Sequence, residues 1–235
     1  MPLNLKFFDR VPESSRLPDK TVLPALVAGT AFIITPLPQL LVCNSSISHW
    51  LASAYITPVC GIIAMVLVLL KDGGKDFLTL SKLDFKEVRH IFYSTAVIIF
   101  TAGIINFLWS VCLDLLSIPY TKEQPLLTLA KSCPAVEFLM LSVLVTLIVP
   151  VAEELLFRRI LFAGLLRFGN KIAWLGTAGI FAAIHLYIAG LPGLFFIGLG
   201  FQWLYCRHKN LAASILSHGL LNGCTVLAVL LVRGV

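Results

Sequence analysis

Two adjacent acids interrupt an apolar run, Val149-Pro150-Val151-Ala152-Glu153-Glu154-Leu155-Leu156-Phe157-Arg158-Arg159-Ile160-Leu161-Phe162. An ionisable side chain in hydrocarbon costs roughly 2.5–3.5 kcal/mol on the insertion scale. A residue that expensive is a functional-site hypothesis, and its partners decide the chemistry. Glu154 and Arg158 are four apart, so on a helix they share a face and can pair. Glu153 points about 100° further round the helix and is left for other work. Downstream, His218 and Asn222 are again four apart and present two polar heads to one side. Phe181 stands one turn before His185 and can wall a pocket, and Gly219 and Gly223 allow a neighbouring helix or a substrate to come close.

Such a set suits hydrolysis without a covalent intermediate. A carboxylate and an imidazole held away from bulk water can deprotonate one trapped water, and a carboxylate taken out of water is a stronger base. An imidazole beside an amide N–H forms an oxyanion hole for the tetrahedral intermediate of amide hydrolysis. Two carboxylates and two histidines also suit zinc, so that alternative stands beside the metal-free one.

These groups need a scaffold, and composition fixes its class. Of 235 residues, 58% are hydrophobic and 13% charged, with mean hydropathy +0.93. Soluble domains carry roughly 25% charged residues, so this chain cannot cover itself for water. It reads as an all-α, polytopic integral membrane bundle. A crossing needs about 20 apolar residues, and seven stretches qualify: 22–42, 49–70, 90–116, 135–166, 172–189, 193–206 and 210–232. The fourth is long enough to bend or break near Pro150, and the sixth is short and Gly-rich. An eighth span hidden in 117–134 is opposed by Pro119, Pro125 and Pro134, which favour a loop. Residues 1–21 form a basic tail without the apolar core of a signal peptide, residues 22–134 a set of N-terminal membrane helices, and 135–235 the catalytic core.

Charge orients the bundle. With the N-terminus inside, the inner segments hold Lys6, Arg10, Arg16, Lys20, Lys71, Lys75, Lys82, Lys86, Arg89, Arg167, Lys171, Arg207 and Lys209; the outer ones hold Lys122, Lys131 and Arg233. Thirteen against three predicts a cytoplasmic N-terminus and an external C-terminus. The net charge of +6 then reflects orientation and not nucleic-acid binding. Trp50, Trp109, Trp174 and Trp203 fall near span ends, as an interfacial belt requires. On this frame Glu153, His185 and Asn222 lie roughly 20 Å from the cytoplasmic edge and His218 about 13 Å. Asp114, Glu137, His90 and His208 fall at span ends and receive no role. The six cysteines show no ligand spacing, and neither a disulfide nor thiol chemistry is expected.

The run Glu153-Glu154-Leu155-Leu156-Phe157-Arg158 resembles the EExxxR motif of the CPBP family, also called ABI or type II CAAX prenyl protease-like. Phe181-Ala182-Ala183-Ile184-His185 is similar to its FxxxH motif, and His218-Gly219-Leu220-Leu221-Asn222 to its HxxxN-type motif, in the family's order over about 140–230. The resemblance implies an all-helical intramembrane protease. Glu153 is then the base and His185 helps to activate water. His218 and Asn222 take the oxyanion role, while Glu154 and Arg158 hold the architecture. Family members have been described as metalloproteases, whereas the glutamate-type reading needs no metal; no HExxH, the commonest zinc signature, is present. Eukaryotic members trim prenylated CaaX proteins, and bacterial relatives are linked to bacteriocin processing or self-immunity. The implied partners are a peptide or protein substrate, prenylated or membrane-anchored, and the lipid bilayer. Compact size and the lack of eukaryotic targeting signals point to a bacterial plasma membrane. Two rivals remain: a non-catalytic scaffold or self-immunity protein on the same fold, and a proton-coupled transporter, which usually shows an internal repeat absent here.

Overall fold

The structure, a computed structural model, describes residues 8, 11–12, 18–34, 47–73 and 80–234. The tail cations Lys6, Arg10 and Arg16, the loop residue Lys75, Cys43, the Trp50 side chain and the end of the first expected span lie outside the described residues. Among the described residues all regular structure is helical. We number eight helices: α1 Asp19–Ile34, α2 Ile47–Gly73, α3 Phe85–Leu115, α4 Pro125–Ser132, α5 Ala135–Phe168, α6 Asn170–Ala183, α7 Leu191–His208 and α8 Leu211–Arg233. Among the described residues α3, α5, α8 and the stretch Ile188–His208 around α7 are long and apolar enough to cross a membrane. The protein is a multi-pass membrane bundle.

Local sequence explains several boundaries. Asp84 caps α3 through the amide of Glu87 (2.7 Å), and the Glu87 side chain accepts from the Asp84 amide (3.0 Å), a reciprocal capping box. Asn210 caps α8 through the Ala212 amide at 3.0 Å. The segment expected as loop contains α4 instead, because Pro125 sits in the first turn, where its missing N–H costs nothing. At eight residues, about 12 Å, α4 cannot be a further span.

Helix α5 runs unbroken through Pro150 for 34 residues, about 51 Å. It absorbs the proline by widening into two π-helical stretches, Leu144–Ile148 and Leu155–Leu161. Between them the α-helical segment Val149–Glu154 carries both acids. Around it α1 and α2 pack on one side and α8 on the other, and α7 lies between α3 and α6. Trp174 departs from the expected interfacial belt. It is fully buried in the first turns of α6, edge-on to Phe8 and Phe162, so its ring faces the bundle and not the lipid.

Candidate active site

Glu154 is the fixed point. Its side chain is fully buried; Oε2 accepts from Arg158 Nε at 2.8 Å and Oε1 faces His218 Nδ1 at 3.0 Å. The i,i+4 pair expected within the helix is therefore present, and α8 adds an imidazole to it. A carboxylate here only accepts, so Nδ1 of His218 carries the hydrogen and, in the neutral ring, Nε2 is bare. That nitrogen stands 4.0 Å from Oε2 of Glu153. Glu153 is half-buried and its Oε2 makes no hydrogen bond with the protein. A gap of this size between two polar atoms suits a bridging water.

An aromatic shell holds these charges in an apolar bundle. The Arg158 guanidinium carbon lies 5.3 Å from the centroid of Phe181, 5.9 Å from Phe201 and 6.0 Å from Phe157. Arg158 Nη1 and Nη2 have no hydrogen-bond acceptor, so the ring quadrupoles compensate the buried cation. Phe181 is also edge-on to His218 at 6.0 Å, and Phe201 stacks on the same imidazole at 4.9 Å and 27°. Phe181 thus lines the site as its position before His185 suggested. Phe201 was missed: within the Gly-rich run of α7 it has no polar neighbour at helical spacing to single it out. Next to His218, Ser217 Oγ bonds Thr95 Oγ1 of α3 at 2.7 Å, a second tether for α8.

His185 lies differently from the expectation. The apolar run predicted a span through 189, but α6 ends at Ala183 and His185 falls in the turn that follows. Between Gly179, within the helix, and Gly190 no Gly or Pro signals the stop, and the left-handed Leu186 (φ 47°) completes it. His185 Nδ1 donates to the Phe181 carbonyl at 2.8 Å, leaving Nε2 as its free nitrogen. Its ring packs on Phe181 at 4.9 Å. No hydrogen bond or ion pair joins it to Glu153 or His218 among the described residues; Phe181 is the contact they share.

Asn222 donates from Nδ2 to the carbonyl of Val145 at 2.7 Å, inside the first π-helical stretch, where widened turns free backbone acceptors. One N–H and Oδ1 remain to it. Gly219 makes the expected close approach, since a Cβ there would lie 2.8 Å from the Thr146 carbonyl oxygen. Gly223 does not: it faces open space, being one residue past Asn222 and turned off the α5 contact.

Among the described residues no group of three or more His, Cys, Asp or Glu side chains is arranged to hold a metal ion. His218 has one nitrogen on Glu154, and among the described residues Glu153 is the one acid that faces the other. The donors a catalytic zinc requires, three protein ligands at about 2 Å, are not assembled.

The family model for type II CAAX prenyl endopeptidase Rce1-like proteins matches residues 135–224. This stretch is similar to the CPBP, or type II CAAX protease-like, family. It spans α5 to most of α8 and includes every residue of the cluster around Glu154 except Thr95. Comparison with curated proteins and with solved structures gives no match. The matched family is, by its description, one of CAAX prenyl endopeptidases.

Proposed function

We propose that the protein is an intramembrane endopeptidase in which Glu153 activates water against a peptide bond. The observation that carries this reading is the pairing of Glu153 with His218: one carboxylate oxygen without a partner faces a bare imidazole nitrogen across 4.0 Å. The neighbouring carboxylate, Glu154, is already committed to Arg158 and His218. Water held between Glu153 and Nε2 of His218 attacks the carbonyl carbon as Glu153 takes its proton. The oxyanion is met by the remaining N–H of Asn222 and by the Nε2–H of His218, whose ring takes a proton from solvent before the attack and keeps it through the step. Glu153 then returns the proton to the amide nitrogen as the C–N bond breaks, giving an acid and an amine. Glu154 and Arg158 hold His218 in the required tautomer, and His185, whose ring shares Phe181 with that of His218, offers Nε2 to orient the water. No step calls on zinc or another cofactor.

Substrates in this reading are membrane-anchored peptides or proteins, prenylated C-termini among them, reached from the bilayer. The N-terminus lies in the cytoplasm and the host membrane is a bacterial plasma membrane.

The test is purified protein in detergent with farnesylated and unmodified CaaX peptides and an unmodified transmembrane peptide, products read by mass spectrometry. Wild type cleaves, and Glu153→Gln loses about 100-fold or more, the usual weight of a general base. An active Glu153→Gln protein removes the base assignment. A wild type that cleaves none of the panel favours the scaffold reading.

A further inference from the structure

His185 sits in a turn, and what holds that turn lies outside the CPBP-matched segment. Helix α6 has 14 residues, about 21 Å, less than the ~30 Å hydrocarbon core. The turn after it therefore lies at membrane depth, where non-helical backbone persists only if protein or a polar cavity satisfies it. Helix α3 supplies that satisfaction. Asn106 Oδ1 accepts from the amide of Gly193 at 2.9 Å, one of the first-turn N–H groups of α7 that has no intrahelical acceptor. It is an N-terminal cap given by another helix. Trp109, three residues on and on the same face, donates Nε1–H to the Ile188 carbonyl at 3.0 Å.

The two contacts grip both ends of the segment 188–193. From the far side, Tyr187 Oη donates to the Lys122 carbonyl at 2.7 Å. The fit is tight, because a Cβ on Gly193 would collide with the Asn106 amide and one on Gly190 with the Tyr187 ring. An Asn in an apolar helix is costly and needs a reason. Capping α7 is the immediate one, but Trp109 has no helix end to cap, and both side chains converge on the loop that carries His185.

We infer that Asn106 and Trp109 are positioning residues for the reaction: they fix the 184–193 turn and, through it, the His185 imidazole. This rests on the peptidase reading above and names residues that reading did not use. A freed turn leaves substrate contacts elsewhere intact and displaces one water-orienting group, so the loss falls on kcat.

Asn106→Ala and Trp109→Phe are measured in the full-length protein for kcat and KM, for amide hydrogen exchange across 184–193, and for the ¹⁵N ring signals of His185, assigned with His185→Gln. Misplacement of a reacting group by about 1 Å costs on the order of 100-fold, so kcat falls about 10- to 100-fold with KM little changed. Exchange of the turn quickens about five- to tenfold when one of its hydrogen bonds is lost. Asn106→Asp keeps the acceptor at a helix N-terminus, where negative charge is favoured, and retains most of the rate. Unaltered kcat in a variant whose turn exchanges faster overturns the inference and leaves the peptidase standing. Unaltered exchange in both variants overturns it as well. If wild type cleaves nothing, the peptidase reading fails by itself. The His185 ring signals then decide: a shift in Asn106→Ala keeps the positioning role, and unchanged signals end it.

Discussion

Glu154 and His218, 64 residues apart in sequence, meet at 3.0 Å, and the same carboxylate holds Arg158 on its other oxygen. One buried anion thus neutralises a cation on its own helix and sets the tautomer of an imidazole on another. Glu153, one residue earlier, is spared both duties. Two adjacent glutamates therefore differ in kind: the first is half-buried with a free oxygen, the second is sealed and paired on both oxygens.

That difference can be measured. Glu154→Ala leaves the Arg158 cation buried without its partner, and breaking a buried pair costs about 3–5 kcal/mol. Detergent melting should drop sharply for this variant, and activity should go with it because His218 loses its orientation. Replacing both members, Glu154→Leu with Arg158→Met, should recover much of the stability and none of the activity, since apolar substitutes for a buried pair are often neutral. Glu153→Gln, by contrast, should melt within about 1 kcal/mol of wild type, because its Oε2 contributes no hydrogen bond to the fold. Equal destabilisation by Glu153→Gln and Glu154→Ala would contradict this division of roles.

Much of the site was readable because ionisable residues are rare in apolar helices and helical spacing pairs them. Glu154 with Arg158 follows from a separation of four, and the spans around the site follow from apolar length. The cross-helix contact of His218 with Glu154 does not, because a helix that is apolar all round carries no periodic signal of its rotation. The end of α6 before His185 was hidden too: from Ile180 the apolar run meets no Gly or Pro until Gly190, and the glycines it does hold, Gly176 and Gly179, lie inside the helix. Trp174 looked interfacial from its place at a span end, yet aromatic residues bury it: Phe162 from the preceding helix and Phe8 from the far N-terminal part of the chain. The π-helical stretches that flank the acids leave no mark beyond Pro150.

The seat of α8 on α5 gives a second contrast, between two glycines four apart. Gly219→Ala places a methyl 2.8 Å from the Thr146 carbonyl, a backbone atom that cannot step aside. Overpacking of this kind costs about 1–3 kcal/mol, and the shift should also disturb the neighbouring His218 and lower activity. Gly223→Ala meets nothing within 4 Å and should be neutral or gain up to about 1 kcal/mol of helix propensity. Chemical or thermal unfolding of the two variants, measured side by side, checks both signs.

Orientation rests on the basic residues, thirteen against three. Single cysteines at Lys82 and at Arg233, in a background lacking the native cysteines, should label from opposite sides of the membrane with an impermeant maleimide. Lys82 should react only from the cytoplasmic side. Labelling of both from one side would require one crossing more or fewer than the seven spans read from the sequence.

The sharpest question is whether the water at Glu153 needs a metal. The nitrogen of His218 that could bind one faces a single carboxylate oxygen, and no third donor joins them among the described residues. Activity should therefore survive exhaustive chelation, and metal analysis of active protein should give far less than one zinc per chain. His218→Ala should still bind a peptide, because the donor it removes acts mainly in the transition state. Its chemical step should slow by about 100- to 1000-fold, the usual consequence of losing one oxyanion donor. A zinc mechanism predicts a different pattern: His185→Ala and His218→Ala would release metal in step with activity, since the ligand set would be broken. Stoichiometric zinc that tracks activity through both variants would replace the glutamate mechanism with a metal one. The similarity of residues 135–224 to the type II CAAX prenyl endopeptidase family would be untouched, because it does not depend on which group polarises the water.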